Sequence, residues 1–342
     1  MRSLWIGWGL VLTSMLLACG ASHDGTKGGL VGFGPQGMTD EPARRFALVI
    51  GIDTFDDERF NELRYATTDA HAMAEAFDDF DHVVRLTEPE ETDRESILDT
   101  LRVLRARADR PRDILVVYVS SHGTLARKPG GALQRYVVAR DSKLDQVATT
   151  AIAVQDLVQE LDLTQARRKA LILAMCHSGV GKSHTDDELA KALSEEKSPL
   201  IPLDDVSEAM IVVSAAARGE PAREEDALGH DIYTYYLLKG MKEGDTDADG
   251  AVTLSEAHDY ARDRTYAHTN GLQRPSAETR ILGRDPIVLH GTRQRAALPV
   301  LYNYDNSAEG IRVVVNDRTK GVLPGGVAMA PRTTQPAPGE RP

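Results

Sequence analysis

Asp113-Ile-Leu-Val-Val-Tyr-Val-Ser120 runs directly into Ser121-His122-Gly123, and Lys169-Ala-Leu-Ile-Leu-Ala-Met-Cys176 runs directly into His177-Ser178-Gly179. Each is a short, unbroken apolar run, the pattern of a strand buried on both faces of a parallel sheet. Each ends on a group that does chemistry, an imidazole in one case and a thiol in the other. In an open α/β sheet the crevice lies beyond the carboxyl ends of the strands, so two such ends bring reactive groups to one rim. A lone cysteine with a histidine roughly 50 residues earlier is a pattern for a cysteine nucleophile and its base.

Working outward, the globular signal begins with Arg45-Phe-Ala-Leu-Val-Ile-Gly-Ile52, another buried strand. Leu63 to Phe77 has helical spacing, with Leu63, Ala66, Ala70, Met73 and Phe77 on one side. A second strand is expected at His82 to Leu86. Thr92-Asp-Arg-Glu95 reads as a capping box opening a helix that carries Ile97, Leu101 and Leu104. The third strand is expected to end at His122 and the fourth at Cys176, with a helix between them at Val154 to Leu161. A fifth strand, Met210 to Ala215, precedes a helix at Asp231 to Lys242. Strands alternating with helices predict a doubly wound, mostly parallel α/β sheet flanked by helices. This domain spans residues 43–290. Beyond it, Pro299 to Tyr304 and Gly310 to Val315 read as strands, either of a small β appendage over 291–330 or at the edge of the main domain. The Pro-rich end, 331–342, reads as disordered. There is no internal repeat.

The chain of 342 residues is 42% hydrophobic and 27% charged, which suits one or two globular domains with a proper core. A formal net charge of −12 argues against a nucleic-acid protein, which needs basic patches to displace phosphate counterions. Arg2 and the apolar stretch Leu4 to Leu17 read as a signal peptide over 1–18, too short for a membrane-spanning helix of about 20 residues. The ending Leu16-Leu17-Ala18-Cys19 resembles the bacterial lipoprotein signal, which implies lipidation of Cys19 and anchoring at the bacterial cell envelope, on an outer membrane facing periplasm or surface. Ordinary secretion is the alternative. Residues 19–42 are glycine-rich and form a tether. With Cys19 lipidated, Cys176 is the one free thiol and no internal disulfide is possible.

The chemistry expected at the strand ends is nucleophilic. The thiolate attacks, and a neighbouring imidazole takes its proton and later returns it to the amine leaving group. Gly123 lets a backbone N–H approach the substrate oxygen, and the Cys176 amide is the second candidate oxyanion donor. His177, adjacent to the nucleophile along the chain, is poorly placed to act as the base. A buried cysteine serving only as a small hydrophobe is the bland alternative. Gly179-Val-Gly-Lys-Ser183 is not a phosphate-binding loop, because the first glycine of the required spacing would fall at Cys176.

Phe46-Ala-Leu-Val-Ile-Gly-Ile52, Ser121-His122-Gly123 and Cys176-His177-Ser178-Gly179 together resemble the caspase/metacaspase-type peptidases, specifically bacterial caspase-like proteins. Leu63-Arg64 followed by Asp69, and Tyr233-Thr-Tyr-Tyr-Leu-Leu238, fit the same pattern, and the resemblance covers about 44 to 286. It implies a caspase-like α/β sandwich, hydrolysis of protein or peptide substrates, and His122 and Cys176 as the catalytic dyad. In metacaspases an aspartate two residues before the nucleophile helps bind a basic P1 side chain; here that position is Ala174. The second acidic contributor to that pocket aligns with Asp69, although the residue pattern equally allows a helix-surface carboxylate. A P1 preference for Arg or Lys therefore stays open. The resemblance also implies self-cleavage in the charged stretch Lys182 to Pro199, near Lys182, Lys191 or Lys197.

Asp245-Thr-Asp247-Ala-Asp249-Gly250-Ala251-Val-Thr253-Leu-Ser-Glu256 matches a twelve-residue EF-hand loop. Carboxylates at Asp245, Asp247 and Asp249 converge on one ion and Gly250 makes the turn. Ala251 offers its carbonyl, Thr253 binds directly or through water, and Glu256 binds through both oxygens. The expected cofactor is a single Ca2+ in a structural role; an acidic turn without metal is the alternative. Two functions follow: a lipid-anchored cysteine endopeptidase, or an inactive caspase-like interaction module stabilised by calcium. Redox sensing ranks below both, since no second cysteine resolves an oxidised sulfur.

Overall fold

The computed structural model describes residues 43–127, 131, 133–175, 209–217, 220–281, 285–293, 301–303, 311–315 and 318–323. They fall into two compact units, one within Thr39–Ala296 and one containing the strands after Ala297.

The first unit is organised by a six-stranded sheet of order β12-β8-β7-β3-β1-β2. Its strands are β1 (Arg45–Gly51), β2 (His82–Leu86), β3 (Ile114–Ser120), β7 (Arg168–Ala174), β8 (Ala209–Ser214) and β12 (Ser276–Ile281). β1, β2, β3, β7 and β8 are parallel, and β12 adds antiparallel at one edge. β3, β7 and β8 are buried at every position, and β1 at all but its first. That explains the uninterrupted apolar runs, because helices cover both faces. One face packs Phe46, Leu48 and Ile50 against Leu98 and Leu101 of α2 (Arg94–Arg107) and Leu157 and Leu161 of α4 (Val154–Asp162). The other packs Ala47 and Val49 against Met73 of α1 (Ala66–Ala76), Leu237 of α5 (Ile232–Glu243) and Ala261 of α6 (Leu254–His268). This is the expected three-layer α/β sandwich.

Local differences from the sequence reading have local causes. The cap of α2 is Asp93 rather than Thr92: its carboxylate accepts from the N–H of Glu95 and of Ser96, each at 3.0 Å. Aspartate serves that role at least as well as threonine. Thr92 instead closes the preceding turn, its hydroxyl donating to the Glu88 carbonyl at 3.1 Å. β3 stops at Ser120 and β7 at Ala174, two residues short of the expected ends. After His122 the chain enters a three-stranded antiparallel sheet, β4 (Gly123–Arg127), β5 (Leu133–Val137) and β6 (Ile152–Ala153). The short α3 (Val147–Thr150) immediately precedes β6. Two two-stranded pairs complete this unit: β9 (Glu224–Glu225) with β10 (His230–Asp231), and β11 (Ala251–Thr253) with β13 (Val288–Gly291). In the second unit, β14 (Leu301–Asn303), β15 (Ile311–Val315) and β16 (Arg318–Leu323) form an antiparallel sheet.

β1 and α1 meet at Gly51. A Cβ there would lie 2.4 Å from the Ala66 carbonyl oxygen and 2.7 Å from the Ala70 Cβ, so the strand approaches the helix backbone as only glycine permits. Gly51→Ala is expected to destabilise the domain by about 1–3 kcal/mol. That corresponds to a fall in Tm of roughly 3–10 °C, measurable by differential scanning calorimetry.

Candidate active site

Adjacent parallel strands β3 and β7 are paired in register, with Ser120 opposite Ala174. His122 and Cys176 each follow two residues beyond that last rung. Residues 176–208, which include Cys176, His177 and all of Lys182 to Pro199, lie outside the described residues, as does Cys19.

His122 is partly buried between the end of β3 and the start of β4. Its backbone is held on both sides: the Ser121 hydroxyl donates to the Val138 carbonyl at 2.7 Å, and the Val138 N–H donates to the His122 carbonyl at 2.9 Å. The ring Nε2 lies 2.6 Å from the Asn61 carbonyl oxygen. A carbonyl only accepts, so this contact assigns the proton to Nε2 and leaves the lone pair on Nδ1. Phe55 packs on the imidazole at 5.0 Å between centroids and Phe60 at 6.3 Å. Burial lowers the imidazole pKa, opposed by the Asn61 carbonyl and by the more distant charge of Glu224. The neutral, proton-accepting form therefore dominates near pH 7.

The loop carrying Phe55, Phe60 and Asn61 connects β1 to α1 and is fixed from below. Buried Asp57 accepts from Arg59 Nε at 2.8 Å, from Arg59 Nη2 at 2.6 Å and from the Leu144 N–H at 2.9 Å. Its hydrogen bond with Arg59, first among several, holds its carboxyl well below the usual range. The Asp56 N–H donates to the Arg140 carbonyl at 2.9 Å. Sequence reasoning did not find Asn61, because a backbone carbonyl leaves no trace in residue identity. The two phenylalanines in an otherwise polar loop were the available signal.

Gly123 opens β4. Because the His122 carbonyl bonds to Val138, residue pairs 122/138 and 124/136 face each other with hydrogen bonds, and Gly123 opposite Val137 does not. Its N–H therefore points away from β5, the direction an oxyanion donor requires.

Asp69, in the first turn of α1, is fully buried, so it is not a helix-surface carboxylate. Its Oδ1 lies 2.7 Å from His230 Nδ1, and its Oδ2 accepts from the Asp231 N–H at 3.2 Å and from the Ser120 hydroxyl at 3.5 Å. Burial raises its pKa, and pairing with His230 opposes the rise. Burial, then repulsion from Asp69, also raises that of Asp231, whose carboxylate caps α5 by accepting from the Thr234 N–H at 2.9 Å. Asp69 is thus brought to the rim of β3, but with both oxygens engaged. Ala174, opposite Ser120 on β7, is apolar and buried.

The acidic loop stands apart in sequence from these residues. One carboxylate oxygen from each of Asp245, Asp247 and Asp249 lies within 4.8 Å of the others. Gly250 adopts φ 84° and Ala248 φ 57° in the turn. Thr253 caps α6 in a reciprocal box with Glu256, whose Oε2 accepts from the Thr253 N–H at 3.0 Å and whose Oε1 accepts from the Thr246 N–H at 3.1 Å. Ala251 starts β11, opposite Gly291. Arg293 Nε donates to Asp249 Oδ2 at 2.5 Å. The donors are all oxygens, three of them carboxylates that converge, which suits a hard cation.

The family described as Peptidase_C14, Caspase domain, matches residues 44–285. The chain belongs to the caspase domain family. That family match identifies residues 44–285 as a cysteine-peptidase-type domain. No curated protein matches the sequence. Among solved structures, protein GSU0716 from Geobacter sulfurreducens aligns with a TM-score of 0.50 and 16% identity, covering 71% of this chain and 94% of that one. Caspase-1 from Spodoptera frugiperda aligns with a TM-score of 0.49 and 12% identity, covering 74% of this chain and 92% of that one. At such identities the likeness concerns the fold alone.

With its pKa depressed by burial, His122 contributes stability that is lost as pH falls below the unfolded-state value of about 6.5, because the unfolded chain then binds the extra proton. By NMR, His122 is expected to titrate with a midpoint below 6.5, and Phe55→Ala to move that midpoint upward by exposing the ring. An unchanged midpoint would show that burial is not the cause.

Proposed function

We propose that this caspase-family chain is a cysteine endopeptidase in which the Cys176 thiolate attacks the peptide carbonyl and His122 shuttles the proton. The observation that carries this reading is the His122 geometry: a ring held at Nε2 by the Asn61 carbonyl, with Nδ1 left to accept, two residues beyond a strand paired in register with the one leading to Cys176. His122 takes the thiol proton, the thiolate adds to the carbonyl, and the Gly123 and Cys176 N–H groups receive the oxyanion. The protonated imidazole then returns its proton to the departing amine, leaving an acyl-enzyme that water hydrolyses with His122 again acting as base. A preference for Arg or Lys in P1 would rest on Asp69 alone, and its pairing with His230 weighs against a strongly basic specificity. In this reading Cys19 carries the lipid that anchors the enzyme at the bacterial cell envelope, on an outer membrane facing periplasm or surface.

Wild-type protein should hydrolyse members of a mixed peptide library and be labelled by a thiol-directed active-site probe. Cys176→Ala should abolish both, and His122→Ala should lower kcat/KM by about 10²–10⁴. Labelling that is indifferent to His122, with no peptide cleaved, would support the inactive interaction module instead.

The same reading includes one Ca2+ bound by Asp245, Asp247, Asp249, the Ala251 carbonyl, Thr253 and Glu256, clamping the α5–α6 connection to β13. Glu256 would turn from its Thr246 and Thr253 partners to the ion, and Asp249 would exchange Arg293 for it. Extracellular sites of this kind have Kd values near 10⁻⁴–10⁻³ M, so a few millimolar calcium should add about 1–2 kcal/mol and raise Tm by several degrees. Asp245→Ala should remove that response. A melting curve indifferent to calcium and to EDTA in the wild type would eliminate the site.

A further inference from the structure

β4 is an edge strand among the described residues: it pairs with β5 on one side only. A cleft of about 500 Å³ runs between it and the segment Leu144–Thr149. Four consecutive β4 residues, Thr124 to Arg127, line the cleft. Leu144, Val147 and Ala148 pack with Ala126 and Tyr136 on one face of this sheet, so the cleft lies over that face and borders β4 along its length. The alternation that directs the Gly123 N–H away from β5 does the same for Leu125 and Arg127. The edge thus presents backbone donors and acceptors beside a cleft whose far wall carries Val147 and Ala148, with Asp145 already paired to Arg59 at 2.9 Å.

The cleft begins two residues after His122. The imidazole must hand its proton to the leaving amine, so the portion of the substrate that departs has to lie next to His122. We propose that this cleft is the primed-side subsite: the peptide segment C-terminal to the scissile bond lies extended along β4, adding a strand to its free edge. The assignment rests on the peptidase reading above. Strand addition gives main-chain hydrogen bonds as the source of affinity and side-chain pockets as the source of selectivity. The occupant here is an extended peptide with small or apolar side chains facing Val147 and Ala148.

Leu125→Pro tests this cleanly. The lost N–H faces the free edge rather than β5, and proline is tolerated on edge strands in that orientation. Thr149→Arg, exposed on the opposite wall, obstructs the cleft without touching β4. Two substrates with the same residues before the scissile bond are compared: a peptide ending in an aminocoumarin, and an internally quenched peptide carrying five residues beyond the bond. Both variants are expected to keep aminocoumarin hydrolysis within about two-fold and to lower kcat/KM for the extended peptide about five- to ten-fold, mainly through KM. Extended-peptide cleavage at wild-type efficiency in both variants, or equal losses on the two substrates, would overturn the subsite. Absence of hydrolysis and of Cys176 labelling in the wild-type protein would instead remove the peptidase reading, and the subsite with it.

Discussion

A strand covered by helices on both faces cannot carry polar chemistry along its length; it can carry it only at its ends. That constraint governs this domain. β3 and β7 are apolar and buried throughout, so the residues that follow Ser120 and Ala174 are the first places where an imidazole or a thiol escapes the core. Parallel pairing then decides which ends meet. A one-residue slip between the two strands would exchange the inward and outward faces of one of them, setting its side chains against the wrong helix layer. The hydrophobic cores on either side therefore enforce the register that aligns Ser120 with Ala174.

Among the described residues, the buried carboxylates near this rim are engaged. Asp69 is shared by His230, the Asp231 amide and Ser120; Asp57 is shared by Arg59 and Leu144. Burying a carboxylate without partners costs several kcal/mol, so these contacts offset a penalty more than they add stability. What they supply is fixed geometry. The loop bearing Phe55, Phe60 and Asn61 has few apolar residues of its own, and Asp57 ties it to the segment after β5.

Much of this was legible in the residues. The central strands could be read because two-sided burial leaves uninterrupted apolar runs, and the gathering of Asp245, Asp247 and Asp249 because alternate positions in a tight turn bring their carboxylates together. The β4–β6 sheet escaped notice, since its strands are short and mixed in polarity and become strands only by packing on Phe60, Val147 and neighbouring groups. Asp69 was ambiguous for a related reason. Helical spacing places it beside Ala70 and Met73 on the buried side, but only the later His230 and Asp231 show why a carboxylate is tolerated there. The capping shift from Thr92 to Asp93 arose because two competent caps are adjacent.

The group that orients His122 is the peptide carbonyl of Asn61, not a side chain. Position 61 can therefore vary in identity among related chains without loss of that contact, whereas the number of residues between β1 and α1 cannot. Residue-by-residue comparison would score the loop as unimportant. Its length, and the aspartate that pins it, would carry the signal instead.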